Sequence, residues 1–445
     1  MGYWGGISPI GKINDTYKCV DVKVGDNTLR VVDATDVSRL YTNFYKFLWE
    51  CRVDSAKTDA QFYLDGLVHA DDRRQLTNAY QDAWFINSLR WLSGRAISCM
   101  SQTPQTIFHS QLPSTRPRMV VRNSDDFFPN VPESHPWHIF CNAHNSTFTS
   151  HFNVLPDWDM FQTSHPYASF HAAARCISGG PVYITDEVGK HDVELISQMT
   201  ARTARENTVI LRPDLAGKTI EPYTSYDEER LLKVGNFASR GGTGTSLLAV
   251  FNVSNRSIVE LIPLRNFLGI CGDEEYIIRA HSTGEISKIL PGDSQSETSL
   301  VVSDLSPRGW EIFSAYPLQI VQHGSGDNRE SLKIATLGLL GKMTGAVAVL
   351  KSEVHAPNSS SGRLKIVVSL RALGKLGLYM SNLSRKSIEN DFIILLLGHV
   401  IPQHTVAKSA KVPELLEIDV ERAWEEMNLS SLWNNEVNLQ IYVNL

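Results

Sequence analysis

The chain reads as an α/β region of barrel type followed by an antiparallel β-sandwich. From residue 37 to about 200, helical apolar spacing alternates with short apolar runs of strand type. The runs that precede helices close on polar clusters: Thr58-Asp59, Ser101-Gln102, Asp125-Asp126, Asp157 with Asp159, and Thr185-Asp186. A single rim of polar strand ends is how a (β/α)8 barrel builds its active site. After about residue 203 the texture changes to short alternating runs broken by Asn-Arg-Ser, Pro-Gly-Asp, Gly-Ser-Gly-Asp and Asn-Ser-Ser-Ser-Gly, the pattern of antiparallel strands and turns. The expected domains are therefore 1–202 and 203–445, the second most simply a sandwich.

Residues 1–18 hold Tyr3-Trp4-Gly5-Gly6, which reads as a strand tip and a tight turn. A first helix, Val37–Trp49, carries Val37, Leu40, Tyr41, Phe44, Phe47 and Leu48 on one stripe. The stretch Cys51–Gln61, CRVDSAKTDAQ, reads as a strand over 52–58 that ends in an acid. A second helix, about 73–92, keeps Leu76, Tyr80, Ala83, Trp84 and Trp91 in helical register until Ser93-Gly94 stops it. Further strands are expected at 96–101, 119–122, 154–158 and 181–185, and further helices near 136–152, 164–178 and 191–201. A doubly wound sheet would want a glycine-rich phosphate loop between an early strand and a helix. The run SRGGTGTS at 239–246 lies instead in the β-rich half, with no helix after it. Strands of that half are expected at 246–253, 257–263, 275–289, 298–303, 309–321, 346–354, 363–371, 375–380, 390–397 and 436–444, with one helical turn at Ala423–Glu426.

Composition narrows the function classes. The 445 residues are 42% hydrophobic and 20% charged, ordinary globular values, and the net charge of −6 offers no basic footprint for nucleic acid or anionic membrane. Cys19, Cys51, Cys99, Cys141, Cys176 and Cys271 are scattered without a C-x-x-C pair, which suits reduced thiols better than disulfides or zinc. The longest apolar run, Phe392–Ile401, is too short to span a bilayer and reads as a buried strand. No signal peptide is visible, so a cytoplasmic location is expected, and the N-x-S/T triplets carry little weight. No cofactor and no metal site is expected. His135, His138, His144, His151, His165 and His171 read as core or capping residues, since zinc needs converging ligands at defined spacing.

The chemistry-bearing residues sit at the strand ends. Lys57 precedes Asp59 by two residues and so shares its side of the strand. Asp126 follows Arg122 by four residues in VVRNSDDF, with Asp125 adjacent. Asp157, Trp158 and Asp159 lie in PDWDMF, and Asp186 in YITDEVGKHD. Such a rim describes a polar pocket able to hold a sugar, and paired carboxylates are what glycosidic cleavage needs. Trp158 reads either as a sugar-stacking platform or as a core aromatic.

The segments GYWGGISP, VDSAKTDAQ, RNSDDFFP and PDWDMFQTSHPYASFHAAARCISGGPVYITDEVGKHD together resemble the raffinose synthase and alkaline α-galactosidase group, the seed imbibition protein relatives of glycoside hydrolase family 36. The resemblance covers residues 2–200 well and the β-rich half more loosely. It implies an incomplete (β/α)8 TIM barrel, strands four to eight, because the family's earlier strands, its acidic D-D-G-W strand end and its N-terminal β-sandwich find no counterpart. It implies Asp59 as nucleophile and Asp126 as acid/base, with Asp125 the alternative. Trp4, Lys57, Arg122, Asp157, Trp158, Asp159 and Asp186 would contact substrate. The implied function is retaining hydrolysis of α-galactosides of the raffinose family through a galactosyl-enzyme. The alternatives are galactinol–sucrose galactosyl transfer and an inactive or sugar-binding remnant. The expected partner is an α-galactoside oligosaccharide, with no nucleic acid, no membrane and an open oligomeric state. Strand edges exposed near 52–58 and 181–185 would make the chain alone poorly soluble and without measurable α-galactosidase activity.

Overall fold

The computed structural model describes residues 13–112, 116–238, 244–293, 299–323, 330–357, 362–431 and 433–445. Trp4 lies outside them. The chain divides into two compact units: residues up to Asp125 with Asn145–Asp159, and Asp126–His144 with Met160–Leu445.

The first unit opens with a hairpin that the sequence reading did not anticipate, β1 (Cys19–Val24) against β2 (Asn27–Val32). Gly25 at φ 58° and Asp26 make the two-residue turn, a position suited to glycine. There follow α1 (Val37–Glu50), β3 (Ala56–Thr58), α2 (Ala70–Leu92), β4 (Ala96–Ser98), β5 (Met119–Arg122), α3 (Ser134–Thr149) and β6 (Val154–Asp157). Helix α3 begins in the second unit and ends in the first. Strands β3 to β6 form one parallel sheet in sequential order. Its Met119, Val121 and Val154 share a core with Leu76, Tyr80, Ala83 and Trp84 of α2, the stripe that the spacing predicts, and with Val37, Tyr41 and Tyr45 of α1; Tyr45 stands outside the expected α1 stripe, whose Phe47 is exposed.

The expected strands over 52–58 and 96–101 are each reduced to three residues. Val53 donates to Leu48 O at 3.0 Å and Arg52 adopts φ 60°, so the stretch after Cys51 is the exit of α1 rather than extended chain. The expected strand at 181–185 is not a strand. It makes one parallel bridge, Phe161 with Ile184, where Thr185 N donates to Phe161 O at 3.0 Å. Within the first unit, Met119 N bonds Asn153 O and Asn123 N bonds Asp157 O, so the odd positions of β6 serve β5.

In the second unit, α4 (Ala168–Ser178) packs on a six-stranded antiparallel sheet that includes Leu232–Ala238, Thr245–Phe251, Glu275–Ala280 and Trp310–Pro317. Phe170 meets Phe251 edge-on at 5.6 Å, and Ala172, Ala173 and Ala174 are fully buried on the helix. A short α5 (Val193–Met199) follows, capped by Asp192. Two five-stranded antiparallel sheets come last. Leu332, Ile334, Leu376 and Leu378 of one share a core with Leu364, Ile366, Val368, Leu439, Ile441 and Val443 of the other, the interdigitated centre of a sandwich. The central strand Glu330–Leu339 escaped the sequence reading because a bulge between Thr336 and Gly338 breaks its period of two.

The C-terminus of α4 is tightly fixed. Gly179 adopts φ 69°, and a Cβ there would fall 1.8 Å from Leu215 O. Asn236 Nδ2 donates to Ile177 O at 2.7 Å and to Leu215 O at 2.9 Å, satisfying carbonyls that the helix end leaves open. Gly179→Ala is expected to cost at least about 2 kcal/mol in urea unfolding. Gly189→Ala, at φ 85° but with nothing within 4 Å, should cost about 1 kcal/mol. Equal losses for the two would contradict this packing account.

Candidate active site

In the first unit, Arg122 closes β5 and Asp157 closes β6, in direct register. Arg122 Nε lies 3.3 Å from Asp157 Oδ2, and its terminal nitrogen bonds Asp159. All three side chains are buried. Asp157 also accepts from Asp159 N at 3.0 Å, and Asp159 is held at φ 69°, a conformation a non-glycine residue keeps only under local constraint. Trp158 between them is fully buried and donates from Nε1 to Ser146 Oγ at 3.1 Å.

Lys57 and Asp59 come together at the end of β3, with Lys57 Nζ 3.6 Å from Asp59 Oδ1. That oxygen is closed to solvent and makes no hydrogen bond, while the Asp59 side chain as a whole is 38% exposed. One carboxylate oxygen is thus held inside, in a side chain that is otherwise partly exposed. Ala60, next in the chain, is buried at φ 54°. The Cys99 thiol responds to this neighbourhood. Burial pushes it up to about 12, the Asp59 carboxylate adds to the rise, and Arg122 and Lys57 pull against it.

Beneath Asp59 runs a buried polar network that the sequence reading missed. Trp84 Nε1 donates to Thr58 Oγ1 at 2.9 Å, and Tyr45 shares that hydroxyl at 3.2 Å. Gln61 Nε2 bonds Thr58 O at 3.1 Å and Ser98 Oγ at 2.7 Å, and Gln81 bonds Gln61 Oε1 at 2.6 Å. The available signal was Gln81 standing within the apolar stripe of α2, where an unpartnered amide would be costly.

In the second unit, Asp126 opens a turn whose next residue, Phe127, is buried. The neighbouring Asp125 is exposed and belongs to the first unit. Asp186 does not stand on an open rim. Its Oδ1 accepts from Thr163 N at 2.7 Å and Ser164 N at 3.4 Å, and its Oδ2 from Thr163 Oγ1 at 2.5 Å and His191 Nδ1 at 3.2 Å. Burial raises its pKa, but these hydrogen bonds outweigh burial and leave it below the ordinary carboxylate value. Asp186 is a brace, occupied by its own chain.

A set of imidazoles lies behind the Asp126 turn. Arg175 donates to His171 Nδ1 at 2.7 Å and to His138 Nε2 at 3.1 Å, and His171 Nε2 meets His135 Nδ1 at 2.7 Å. Burial, with a further push from His165, lowers the His135 pKa to about 4, and burial with Arg175 holds His171 well below its ordinary value. Among the described residues no group of three His, Cys, Asp or Glu side chains could hold a metal ion.

The family profile described as "Raffinose synthase or seed imbibition protein Sip1" matches residues 2–257. The chain belongs to this family. Among curated relatives of the raffinose synthase group, "Probable galactinol--sucrose galactosyltransferase 6" of Arabidopsis thaliana is 29% identical over 423 residues, which are 85% of this chain and 52% of the relative. The Pisum sativum "Stachyose synthase" is 27% identical over 266 residues, 54% of this chain and 31% of that protein. The chain spans about half the length of the curated relatives it matches most extensively. Among solved structures, a GH27 β-L-arabinopyranosidase from Geobacillus stearothermophilus shows a TM-score of 0.44 at 12% identity, over 67% of either chain, a likeness too distant to argue from.

Two outcomes follow from the site's electrostatics. Arg122→Met would strand two buried carboxylates and should cost roughly 3–5 kcal/mol in urea unfolding. Adding Asp157→Asn and Asp159→Asn should restore most of that loss; no restoration would contradict the pairing. The second outcome concerns pH. Imidazoles kept neutral in the fold but protonated in the unfolded chain make the unfolded state bind more protons, so stability is complete above about pH 6.5 and falls as pH drops toward 4. Each such imidazole should contribute a slope of roughly 1.4 kcal/mol per pH unit. His281, lowered to about 4 by burial and Arg279, adds to it. Unfolding free energies that stay flat between pH 6.5 and 4.5 would refute neutral burial.

Proposed function

We propose that the chain carries part of the catalytic machinery of an α-galactoside-processing enzyme acting by double displacement. The observation that carries the reading is the Lys57–Asp59 pair, with one carboxylate oxygen sequestered in a side chain that is otherwise partly exposed, in a member of the raffinose synthase family. In this reading the Asp59 carboxylate attacks the anomeric carbon of an α-galactoside, and a covalent galactosyl ester forms as the glycosidic bond breaks. Asp126 gives its proton to the departing oxygen and later takes one from the acceptor hydroxyl. Such a pair requires carboxyl groups about 5–5.5 Å apart. Lys57 orients the nucleophile. Arg122, Asp157 and Asp159 act by fixing the strand ends, and any direct grip on the sugar by them needs a change from their paired, buried state. The relatives' names favour transfer from galactinol to sucrose, and hydrolysis is the same first half-reaction with water as acceptor.

We propose further that the four parallel strands are consecutive strands of a (β/α)8 barrel, with residues 1–202 as its portion and 203–445 as the β-domain. Strict sequential order supports this, since a doubly wound sheet reverses order at its switch point.

Incubation with galactinol and sucrose, followed by NMR of the products, separates the readings. Raffinose would indicate transfer and free galactose hydrolysis, and neither product is the outcome expected if the chain alone lacks part of the barrel or is a sugar-binding remnant. Asp59→Asn is expected to lower either activity roughly 10⁴-fold or more. Retention of turnover in that variant would remove Asp59 from the mechanism.

A further inference from the structure

The imidazole set behind Asp126 has no part in the chemistry proposed above, yet its geometry converges on the segment that carries that acid. Phe127 is buried, and its ring is met edge-on by His171 at 4.9 Å, His135 at 5.5 Å and His165 at 6.0 Å. His165 Nε2 bonds Pro129 O at 2.9 Å, and His165 Nδ1 accepts from Tyr167 N at 3.0 Å, which fixes the proton on Nε2. Ser134 Oγ holds the same turn at Val131 O, 2.7 Å away, and Phe128 O, 3.3 Å away.

The polarity of the set is also determined. Arg175 can only donate, so His171 accepts at Nδ1 and donates from Nε2 to His135 Nδ1. The His135 proton then lies on Nε2, which is closed to solvent. Arg175 is itself anchored to Met160 O at 3.0 Å and lies over the Phe161 ring at 5.7 Å. Each imidazole therefore has one orientation, and Phe127 has one seat.

We infer that His135, His165 and His171, set by Arg175, are positioning residues that seat Phe127 and clasp Pro129, and so fix the carboxyl of Asp126 for proton transfer. The seat stands on geometry alone; its purpose rests on the reading of Asp126 as acid/base. A displacement of the order of 1 Å at a catalytic group is enough to cost about 100-fold in rate. A seat of this kind therefore acts on the proton-transfer step and leaves substrate binding alone.

His165 is the residue to vary, because it is half-buried and its two nitrogens have separate tasks. His165→Asn keeps an acceptor near the Nδ1 position and loses the bond to Pro129 O. His165→Gln keeps a donor near the Nε2 position. Amide hydrogen exchange over 124–132 is expected to rise about tenfold or more in His165→Asn and to stay near the parent rate in His165→Gln. Unchanged exchange in His165→Asn would overturn the seat whether or not the protein is active.

The activity arm tests the purpose. His165→Asn should lower kcat about 10- to 100-fold on an oligosaccharide, whose leaving group needs protonation. It should have little effect on an activated aryl α-galactoside, with KM within about threefold on both. His165→Gln should recover most of the loss. Equal loss on both substrates would overturn the positioning role. If exchange rises as expected but Asp126→Asn itself shows no dependence on leaving group, the acid/base reading of Asp126 fails and the seat stands.

Discussion

The guanidinium of Arg122 is enclosed between two carboxylates that are as buried as it is. Such a group cannot be half-formed. Removing one member leaves a charge in low dielectric, so the ends of β5 and β6 are held in register or the local structure is lost. The sequence places Asp157 and Asp159 two residues apart on either side of a core tryptophan. The left-handed turn at Asp159 then brings both acids onto one arginine. Without that turn, the alternation of a strand would leave Trp158 on the other face, as here, but would carry Asp159 past its partner.

The other end of the sheet is fixed by neutral groups. Thr58, Gln61, Gln81, Trp84 and Ser98 form a hydrogen-bonded layer under Asp59 that links α2, β3 and β4. A neutral layer holds the backbone firmly without adding charge beside the acid. Lys57 is then the nearest formal charge on the same strand, and the Asp59 side chain remains partly exposed. The raised thiol of Cys99 belongs to the same picture: a buried sulfur beside a carboxylate stays protonated and inert at neutral pH.

Much of this was legible in the sequence, for identifiable reasons. The stripe of α2 has helical period and packs as that period predicts, while on α1 the buried face takes Tyr45 and leaves Phe47 exposed. Met119–Arg122 and Lys375–Met380 are strands over the residues expected. The K-x-D and R-x-x-x-D spacings singled out Asp59, Arg122 and Asp126. Other features depend on information that spacing does not hold. The hairpin Cys19–Val32 was passed over although Gly25-Asp26 is a turn signal. The bulge at Thr336 to Gly338 hid an interior strand. Asp186 and Trp158 illustrate the limit for sites. A motif marks a polar or aromatic residue near a strand end, and only packing decides whether it faces a ligand, braces a loop or fills the core.

The central claim is that the carboxylate of Asp59 forms the covalent bond. Its most direct test is trapping with an activated fluorinated α-galactosyl fluoride, which forms the ester readily and hydrolyses slowly, followed by digestion and mass spectrometry of the labelled peptide. The account predicts one sugar per chain, carried on the peptide that contains Asp59 and absent in Asp59→Asn. A sugar carried on Asp126 or on any other carboxylate, or turnover of the reagent with no labelled peptide, would contradict it.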